Sequence, residues 1–363
     1  MGEVMIEYIR TENLKSGDIL AKALYDENGR ILLAVGKTVT ETAIRVIRQY
    51  GYKGIYIENI DEFRREDIPI PEPLIDDYTQ LQLIVILRNI YENKAIQYDY
   101  FDSRFMMDKK KLHEILEDII DILLKAEKEG KLLFELEDSR NMSSWLYYHS
   151  LNVCFLSIGM AIKIGLSKNE VMDVALGAIY HDMGKAWFED SIVNKRGLTE
   201  KERKLLREHP EKMFRFLQKH NYSVSTLYSV WQHHEKVNGE GYPSAIKGNK
   251  IVDAAKMVSC ANAYDNMINM NPYEGKISMY QAEAIEYLSV NEEYDLDSLR
   301  MLFKVVAPYP VGTKIRLSNG AEGLVLKNFS DFPLRPAIII GRDMILLHKD
   351  PSYRNITVTE VVK

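Results

Sequence analysis

The stretch His181-Asp182-Met183-Gly184-Lys185 decides the fold, because it ends an apolar helical pattern with an imidazole, a carboxylate and an ammonium group. Four other histidines lie on apolar helical patterns or directly after one: His149, His209, His233 and His234. A single histidine on an apolar face is usually a core residue with satisfied hydrogen bonds. Five of them beside an aspartate would leave many buried donors and acceptors without partners. The sequence therefore predicts a buried site for more than one metal ion.

The predicted ligand set divides around Asp182, whose two carboxylate oxygens can bridge two ions. The ligands assigned to one ion are His149 and His181, and those assigned to the other are His209, His233 and His234. Imidazole and carboxylate ligands favour iron, manganese, zinc, nickel or cobalt over calcium. A pair of such ions suits phosphodiester hydrolysis, because it activates water and neutralises charge on the phosphate oxygens. Lys185 could reach a phosphate, but a solvated lysine at a helix end fits the local pattern equally well.

Composition narrows the class of protein. The 363 residues include 47 basic and 53 acidic side chains, a net charge of −6 that argues against nonspecific binding of duplex nucleic acid. Cys154 and Cys260 lie in apolar helical patterns and fit a reducing compartment better than a disulfide framework. The first ten residues carry charges instead of a signal-peptide pattern, and no apolar run is long enough to cross a bilayer. We therefore expect a soluble, cytoplasmic protein without a membrane partner.

Local patterns predict four segments along the chain. Residues 1–68 form a small α+β module, and residues 69–139 form a charged, Pro-rich linker followed by long helices. Residues 140–307 form the main helical domain, and residues 308–363 form a β-rich extension. The apolar faces of the helices predicted near 74–96 and 109–129 suit either a core or a homodimer seam. The fold class predicted from these segments is mainly α, with a small unit at each end.

Turn and capping signals make these predictions specific. The pattern Asp26-Glu27-Asn28-Gly29 predicts a hairpin turn, and Thr40 is a predicted N-cap for a helix that ends before Gly51. Ser167 with Glu170, and Thr199 with Glu202, are predicted capping boxes. We expect Gly184 to end its helix in a left-handed conformation, and Pro210 to end the helix from Thr199 at His209.

The chain contains an ordered set of motifs: His149, His181-Asp182-x-Gly-Lys185, His209-Pro210, His233-His234-Glu235 and Gly241-Tyr242-Pro243. This ordered set resembles the HD-GYP family, a subgroup of the HD phosphohydrolase superfamily. The resemblance covers about 140–307 and implies an HD-type helical bundle. It also implies hydrolysis of the bacterial second messenger cyclic di-GMP, to linear pGpG or onward to GMP, at a two- or three-metal site. The flanking segments also resemble those found beside such domains.

Four positions depart from the family pattern. Trp145 stands where the family often has a glutamate ligand, which argues for two metals instead of three. Asn262 replaces a ligating aspartate and would bind a metal without contributing charge. Asn271 and Glu274 stand where the family supplies cations to the phosphates. Each lost charge-assisted contact should weaken substrate binding by roughly 1.5–3 kcal/mol.

The resemblance assigns roles to the remaining motif residues. Asp182 and Lys185 are the predicted catalytic residues, and Lys185, Gly241 and Tyr242 are predicted to bind substrate. Tyr242 suits either stacking on a base or packing of its loop. Asp265 and Glu235 are predicted to support the ligands from behind, Glu235 by orienting a histidine. Iron or manganese is the favoured metal. Two alternatives to a cyclic di-GMP phosphodiesterase remain: a weakly active or inactive receptor that binds a protein through the Gly-Tyr-Pro loop, and a phosphohydrolase of another nucleotide.

Overall fold

The N-terminal unit is a small α+β module. The computed structural model describes residues 5–26, 30–52, 54–59, 73–93, 103–135, 145–188, 192, 197–269 and 279–362. Strand β1 (Met5–Arg10) pairs antiparallel with β4 (Gly54–Asn59), and β2 (Leu24–Tyr25) pairs with β3 (Ile31–Leu33). Helix α1 (Glu41–Gln49) begins at Thr40, whose side chain accepts a hydrogen bond from the Ala43 N–H. The predicted cap is therefore confirmed, while the turn residues 27–29 lie outside the described part of the chain.

The middle of the chain is a helical bundle with one hydrophobic core. Its helices are α2 (Asp77–Tyr91), α3 (Ser103–Lys128), α4 (Trp145–Ile164), α5 (Lys168–Tyr180), a 3₁₀ helix (Met183–Trp187), α6 (Glu200–Leu206), α7 (His209–Gln218), α8 (Val224–Gln232), α9 (Asp253–Ile268), α10 (Gln281–Ser289) and α11 (Leu296–Val305). Helix α4 is buried along nearly all its length and packs against α5, α9 and α11. It therefore forms the centre of the bundle.

Helices α2 and α3 bury their apolar faces in the same core as α4 and α5. Leu83 and Leu87 of α2, and Leu112 and Leu116 of α3, are fully buried there. The sequence left open whether these faces form a core or a homodimer seam, and the structure shows that they pack in the core. The Pro-rich residues 69–72 lie outside the described residues, as do Asn271 and Glu274. The four segment limits stay a prediction.

The C-terminal unit is a five-stranded antiparallel sheet. Its strands are β5 (Lys314–Leu317), β6 (Glu322–Lys327), β7 (Ala337–Ile340), β8 (Asp343–Leu346) and β9 (Val358–Val361), in the order β8-β7-β6-β5-β9. The Glu135 carboxylate joins this unit to the bundle by accepting hydrogen bonds from the Val311 N–H and the Asn328 amide. The predicted fold class is confirmed: a mainly α protein with small units at both ends.

Two local predictions were wrong, and both concern the segments that carry the site. Gly184 does not adopt a left-handed conformation; it lies in the 3₁₀ helix, where a Cβ atom would overlap the backbone carbonyl of His209. Glycine is needed there for close packing. Pro210 does not end a helix at His209, because α6 already ends at Leu206 and Pro210 lies in the first turn of α7. Proline suits that position, where its missing N–H would have no helical partner.

The predicted capping boxes of α5 and α6 are both confirmed. Among the described residues, no helix combines the length and the apolar composition that crossing a membrane requires.

Candidate metal centre

The fold brings the five predicted histidine ligands and Asp182 together. They lie on α4 and at the ends of four other helices. His149 lies on α4, and His181 directly follows α5. Asp182 precedes the 3₁₀ helix, and His209 is the first residue of α7. His233 and His234 directly follow α8. All are buried except His234, which is partly exposed although its Nε2 atom is buried.

The cluster consists of two ligand groups that share one carboxylate. The first ligand group is His149, His181 and Asp182, and the second is Asp182, His209, His233 and His234. The Asp182 Oδ2 atom lies 3.6 Å from His149 Nε2 and 3.5 Å from His181 Nε2. The Oδ1 atom lies 3.1 Å from His209 Nε2 and 3.9 Å from His233 Nε2. One oxygen of Asp182 thus faces each group.

Backbone contacts determine which nitrogen of three imidazoles faces the cluster. The Nδ1 atoms of His181, His209 and His233 lie 2.7, 2.6 and 2.7 Å from the carbonyl oxygen three residues earlier. A carbonyl oxygen only accepts, so each Nδ1 carries the proton and donates it. In the neutral ring the Nε2 lone pair is then left to face the cluster.

Electrostatics favour neutral imidazoles around an ionised carboxylate. Burial lowers the pKa of His181 and His209, and it lowers the pKa of His233 and His234 well below the usual value. Burial alone would raise the pKa of Asp182. The charge of Lys185 and contacts with His181 and His209 outweigh it, and the pKa lies well below its usual value. The Lys185 Nζ atom donates to Asp182 Oδ2 over 2.5 Å. The site therefore consists of neutral imidazoles, with their nitrogen lone pairs, around the ionised carboxylate of Asp182.

These lone pairs fit metal ions. His149 Nε2 lies 3.3 Å from His181 Nε2, and His209 Nε2 lies 3.3 Å from His233 Nε2. Asp182 Oδ1 and His234 Nε2 are buried without a hydrogen-bond partner within the described structure. Buried acceptors that face one another without a donor are costly, and a cation satisfies them all. Nitrogen ligands with a carboxylate suit divalent transition metals.

A second layer of side chains holds His149. Its Nδ1 atom lies 2.6 Å from Asp265 Oδ2, and Asp265 Oδ1 accepts hydrogen bonds of 2.8 Å from both Asn152 and Asn269. The indole of Trp145 stacks on the His149 ring, with ring centres 4.6 Å apart and planes 9° apart. Sequence reasoning missed the two asparagines. The available signal was spacing, since Asn152 is three residues after His149 and Asn269 is four after Asp265.

Glu235 does not have the predicted contact with a ligand histidine. Its two carboxylate oxygens accept hydrogen bonds from the backbone N–H groups of Ser244, at 2.6 Å, and Ile246, at 3.2 Å. A carboxylate occupied in this way anchors the following loop instead of orienting an imidazole. Asn262 lies on α9, where its side-chain oxygen accepts a 2.7 Å hydrogen bond from Asn266. Its role as a ligand stays a prediction.

The Gly241-Tyr242 loop packs directly on the second ligand group. A Cβ atom at Gly241 would overlap the backbone of Glu235 and Lys236, so glycine lets the loop lie against the chain that follows His234. The Tyr242 ring stacks on the His234 ring, with centres 4.5 Å apart and planes 20° apart. One face of the Tyr242 ring therefore packs on a ligand histidine, and its predicted role in binding substrate stays a prediction.

Comparison with known proteins identifies similar chains. Residues 137–298 match the family model described as HD domain. A cyclic di-GMP phosphodiesterase of Pseudomonas aeruginosa is 32% identical over 225 residues, which are 61% of this chain and 54% of that protein. A cyclic di-GMP phosphodiesterase of Thermotoga maritima is 27% identical over 228 residues, 61% of this chain and 60% of that one. The chain thus spans little more than half the length of these curated relatives.

Among solved structures, an HDG"Y"P protein from Bdellovibrio bacteriovorus aligns over 82% of this chain and 98% of its own, with 18% identity and a TM-score of 0.48. The sequence matches confirm the family resemblance that the motifs indicated.

Proposed function

Because the chain belongs to the HD superfamily, through the HD domain of residues 137–298, we propose that it is a metal-dependent phosphodiesterase. Its proposed substrate is cyclic di-GMP, with linear pGpG, GMP or both as products. The observation that carries the proposal is the position of Asp182, which directs one oxygen to each of two imidazole groups. A shared carboxylate between two sets of nitrogen ligands suits two metal ions that act on one phosphate.

We assign His149 and His181 to one divalent ion, and His209, His233 and His234 to the other, with Asp182 bridging them. Iron and manganese are the favoured metals, and zinc, nickel or cobalt also suit these ligands. When bound, the ions supply an activated water and neutralise charge on the phosphate. Asn262 is proposed as a weaker, uncharged ligand that would have to exchange its hydrogen bond with Asn266 for the metal.

Lys185 is proposed to act at the carboxylate and at the substrate. Its Nζ atom holds Asp182 Oδ2 at 2.5 Å, which keeps the carboxylate ionised and fixed in orientation. An ammonium group has three donors, so the same group can also donate to a phosphate oxygen. Asp265, with Asn152 and Asn269 behind it, is proposed to keep the His149 Nε2 lone pair directed at the metal.

The choice of substrate rests on the relatives. Those from Pseudomonas aeruginosa and Thermotoga maritima are named as cyclic di-GMP phosphodiesterases, and each alignment covers 61% of this chain. The proposed compartment is the cytoplasm, where a second messenger of this kind is used.

The test is hydrolysis of cyclic di-GMP by the purified protein loaded with Mn²⁺ or, without oxygen, with Fe²⁺. We expect linear product by chromatography, and no product from His181→Ala. The matched control is His113→Ala, because His113 is exposed on α3 and far in sequence from the cluster. Equal loss in both variants, or no product from the unaltered protein, would contradict the proposal.

One observation favours a receptor as the second candidate. Trp145, only 3% exposed, stacks on the ring of His149, and its indole supplies no ligand to a metal there. Tight binding of cyclic di-GMP without product would support this candidate, and so would hydrolysis that appears only in Asn262→Asp. Product from another cyclic dinucleotide alone would instead favour a different substrate.

A further inference from the structure

Arg207 lies at the edge of the candidate metal centre. It caps the end of α6, two residues before His209, and is exposed to solvent. Its guanidinium carbon lies 5.1 Å from the centre of the Tyr242 ring, and Tyr242 in turn stacks on His234. Contact through one aromatic ring therefore connects an exposed cation to a predicted metal ligand.

Among the described residues, three cations near the site are paired with carboxylates, and Arg207 is not. Lys185 lies 2.5 Å from Asp182, Lys212 lies 3.5 Å from Glu208, and Lys236 lies 3.5 Å from Glu293. Within the described residues, no carboxylate lies at ion-pair distance from Arg207. Its N–H donors are therefore available to an anion from outside the chain, while the Tyr242 ring restricts where the guanidinium plane can lie.

We infer that Arg207, supported by Tyr242, binds a phosphate of the substrate, an inference that rests on the proposed function. A cyclic dinucleotide has two phosphodiester groups. When one lies at the metals, the second needs a cation at the rim of the site. A guanidinium group suits this task, because its parallel N–H donors match two phosphate oxygens. Arg207 would then position the ring of the substrate and favour dinucleotides over simple phosphodiesters.

The test compares Arg207→Gln and Arg207→Lys with the unaltered, metal-loaded protein. We expect Arg207→Gln to weaken cyclic di-GMP binding at least tenfold and to raise KM more than it lowers kcat, with metal content unchanged. Arg207→Lys should retain part of the affinity, because it keeps the charge but loses the paired donors. Hydrolysis of bis(p-nitrophenyl) phosphate, which has a single phosphodiester, should keep its KM in both variants. The matched control is Arg203→Gln, one turn earlier on α6 and also exposed.

The outcomes separate this inference from the proposed function. Unchanged cyclic di-GMP affinity in Arg207→Gln, or an equal loss in Arg203→Gln, overturns the role of Arg207 and leaves the phosphodiesterase proposal standing. Loss of metal from Arg207→Gln also overturns it, because the residue would then act on the fold. If the unaltered protein binds cyclic di-GMP without hydrolysing it, the phosphodiesterase proposal fails. The affinity of Arg207→Gln for cyclic di-GMP, relative to that of the unaltered protein, then still supports or overturns the role of Arg207. No binding by the unaltered protein overturns both.

Discussion

The two ligand groups of the candidate metal centre differ in how one histidine, His149, is held. In the second group, His209 and His233 each donate to a backbone carbonyl three residues earlier in their own segment. In the first group, His149 depends on Asp265, which is 116 residues away on α9 and is itself held by two asparagines. His181 of the first group also donates to a backbone carbonyl three residues earlier, so what distinguishes the first group is the dependence of His149 on the packing of α4 against α9.

This difference has a consequence for mutation. A carbonyl oxygen cannot be removed by a side-chain change, whereas the carboxylate of Asp265 can. Asp182 and Gly184 connect the groups, one through its two oxygens and the other through its contact with the His209 backbone. Substitutions at Asp182 or Gly184 should weaken metal binding by both groups. A substitution at Asp265 should weaken metal binding by the first group alone.

The largest effect is expected from Asp182→Asn, which removes the shared negative charge and one ligating oxygen. We expect no detectable hydrolysis and at most one metal per chain, because the amide nitrogen cannot replace a carboxylate oxygen as a ligand. Elemental analysis together with the cyclic di-GMP assay checks this. Asp118→Asn, at an exposed position on α3, is the control. Two metals retained in Asp182→Asn would show that the carboxylate does not bridge.

Gly184→Ala should disturb the contact between the groups. The added Cβ would overlap the His209 carbonyl, and relief of such overpacking typically costs about 1–3 kcal/mol. We expect a lower urea midpoint and loss of metal from both groups together, since His181 and His209 would move apart. Denaturation followed by circular dichroism and metal analysis measures both quantities. Stability and metal content equal to those of the unaltered protein would show that the 3₁₀ helix adapts freely.

Asp265→Asn should affect the first group selectively. Loss of the carboxylate behind a ligand histidine typically lowers metal affinity about 10–100-fold. We expect calorimetric titration with Mn²⁺ to show one weakened site and one site of nearly unchanged affinity. Asp253→Asn, at the exposed start of the same helix, is the control. Equal weakening of both sites would mean that the groups are not independently supported.

The smallest effect is a pH dependence of the metal-free protein. The pKa values of His181, His209, His233 and His234 are lowered by burial, so the unfolded chain takes up protons first as the pH falls below about 6.5. The free energy of unfolding should therefore decrease between pH 7 and pH 5. His181→Gln and His233→Gln should each flatten this slope, because each removes a buried histidine whose pKa is lowered. Urea titrations at several pH values measure the slope, and a slope unchanged in both variants would contradict the expectation.

Much of this arrangement was predictable from short stretches of sequence. The capping boxes at Ser167 and Thr199 place the starts of α5 and α6, and the apolar stripe of α4 turns His149 inward. These local patterns place His149 on α4 and His181 with Asp182 at the end of α5, whereas His209 begins a helix although the sequence predicted that it would end one. The strands of the C-terminal sheet were likewise visible in alternating patterns that turn residues separate.

The contacts that orient these residues were decided by the tertiary structure. The pairing of Asp265 with His149, the support of that carboxylate by Asn152 and Asn269, and the use of Glu235 to anchor the Gly-Tyr-Pro loop join separate segments. The roles of Gly184 and Pro210 were wrongly predicted for the same reason, since each depends on how two segments meet. Local sequence determines backbone geometry over a few residues, because hydrogen bonds and side-chain sterics act over that range. Which side chains meet across the core depends on how whole helices pack, and no single stretch of the chain contains that information.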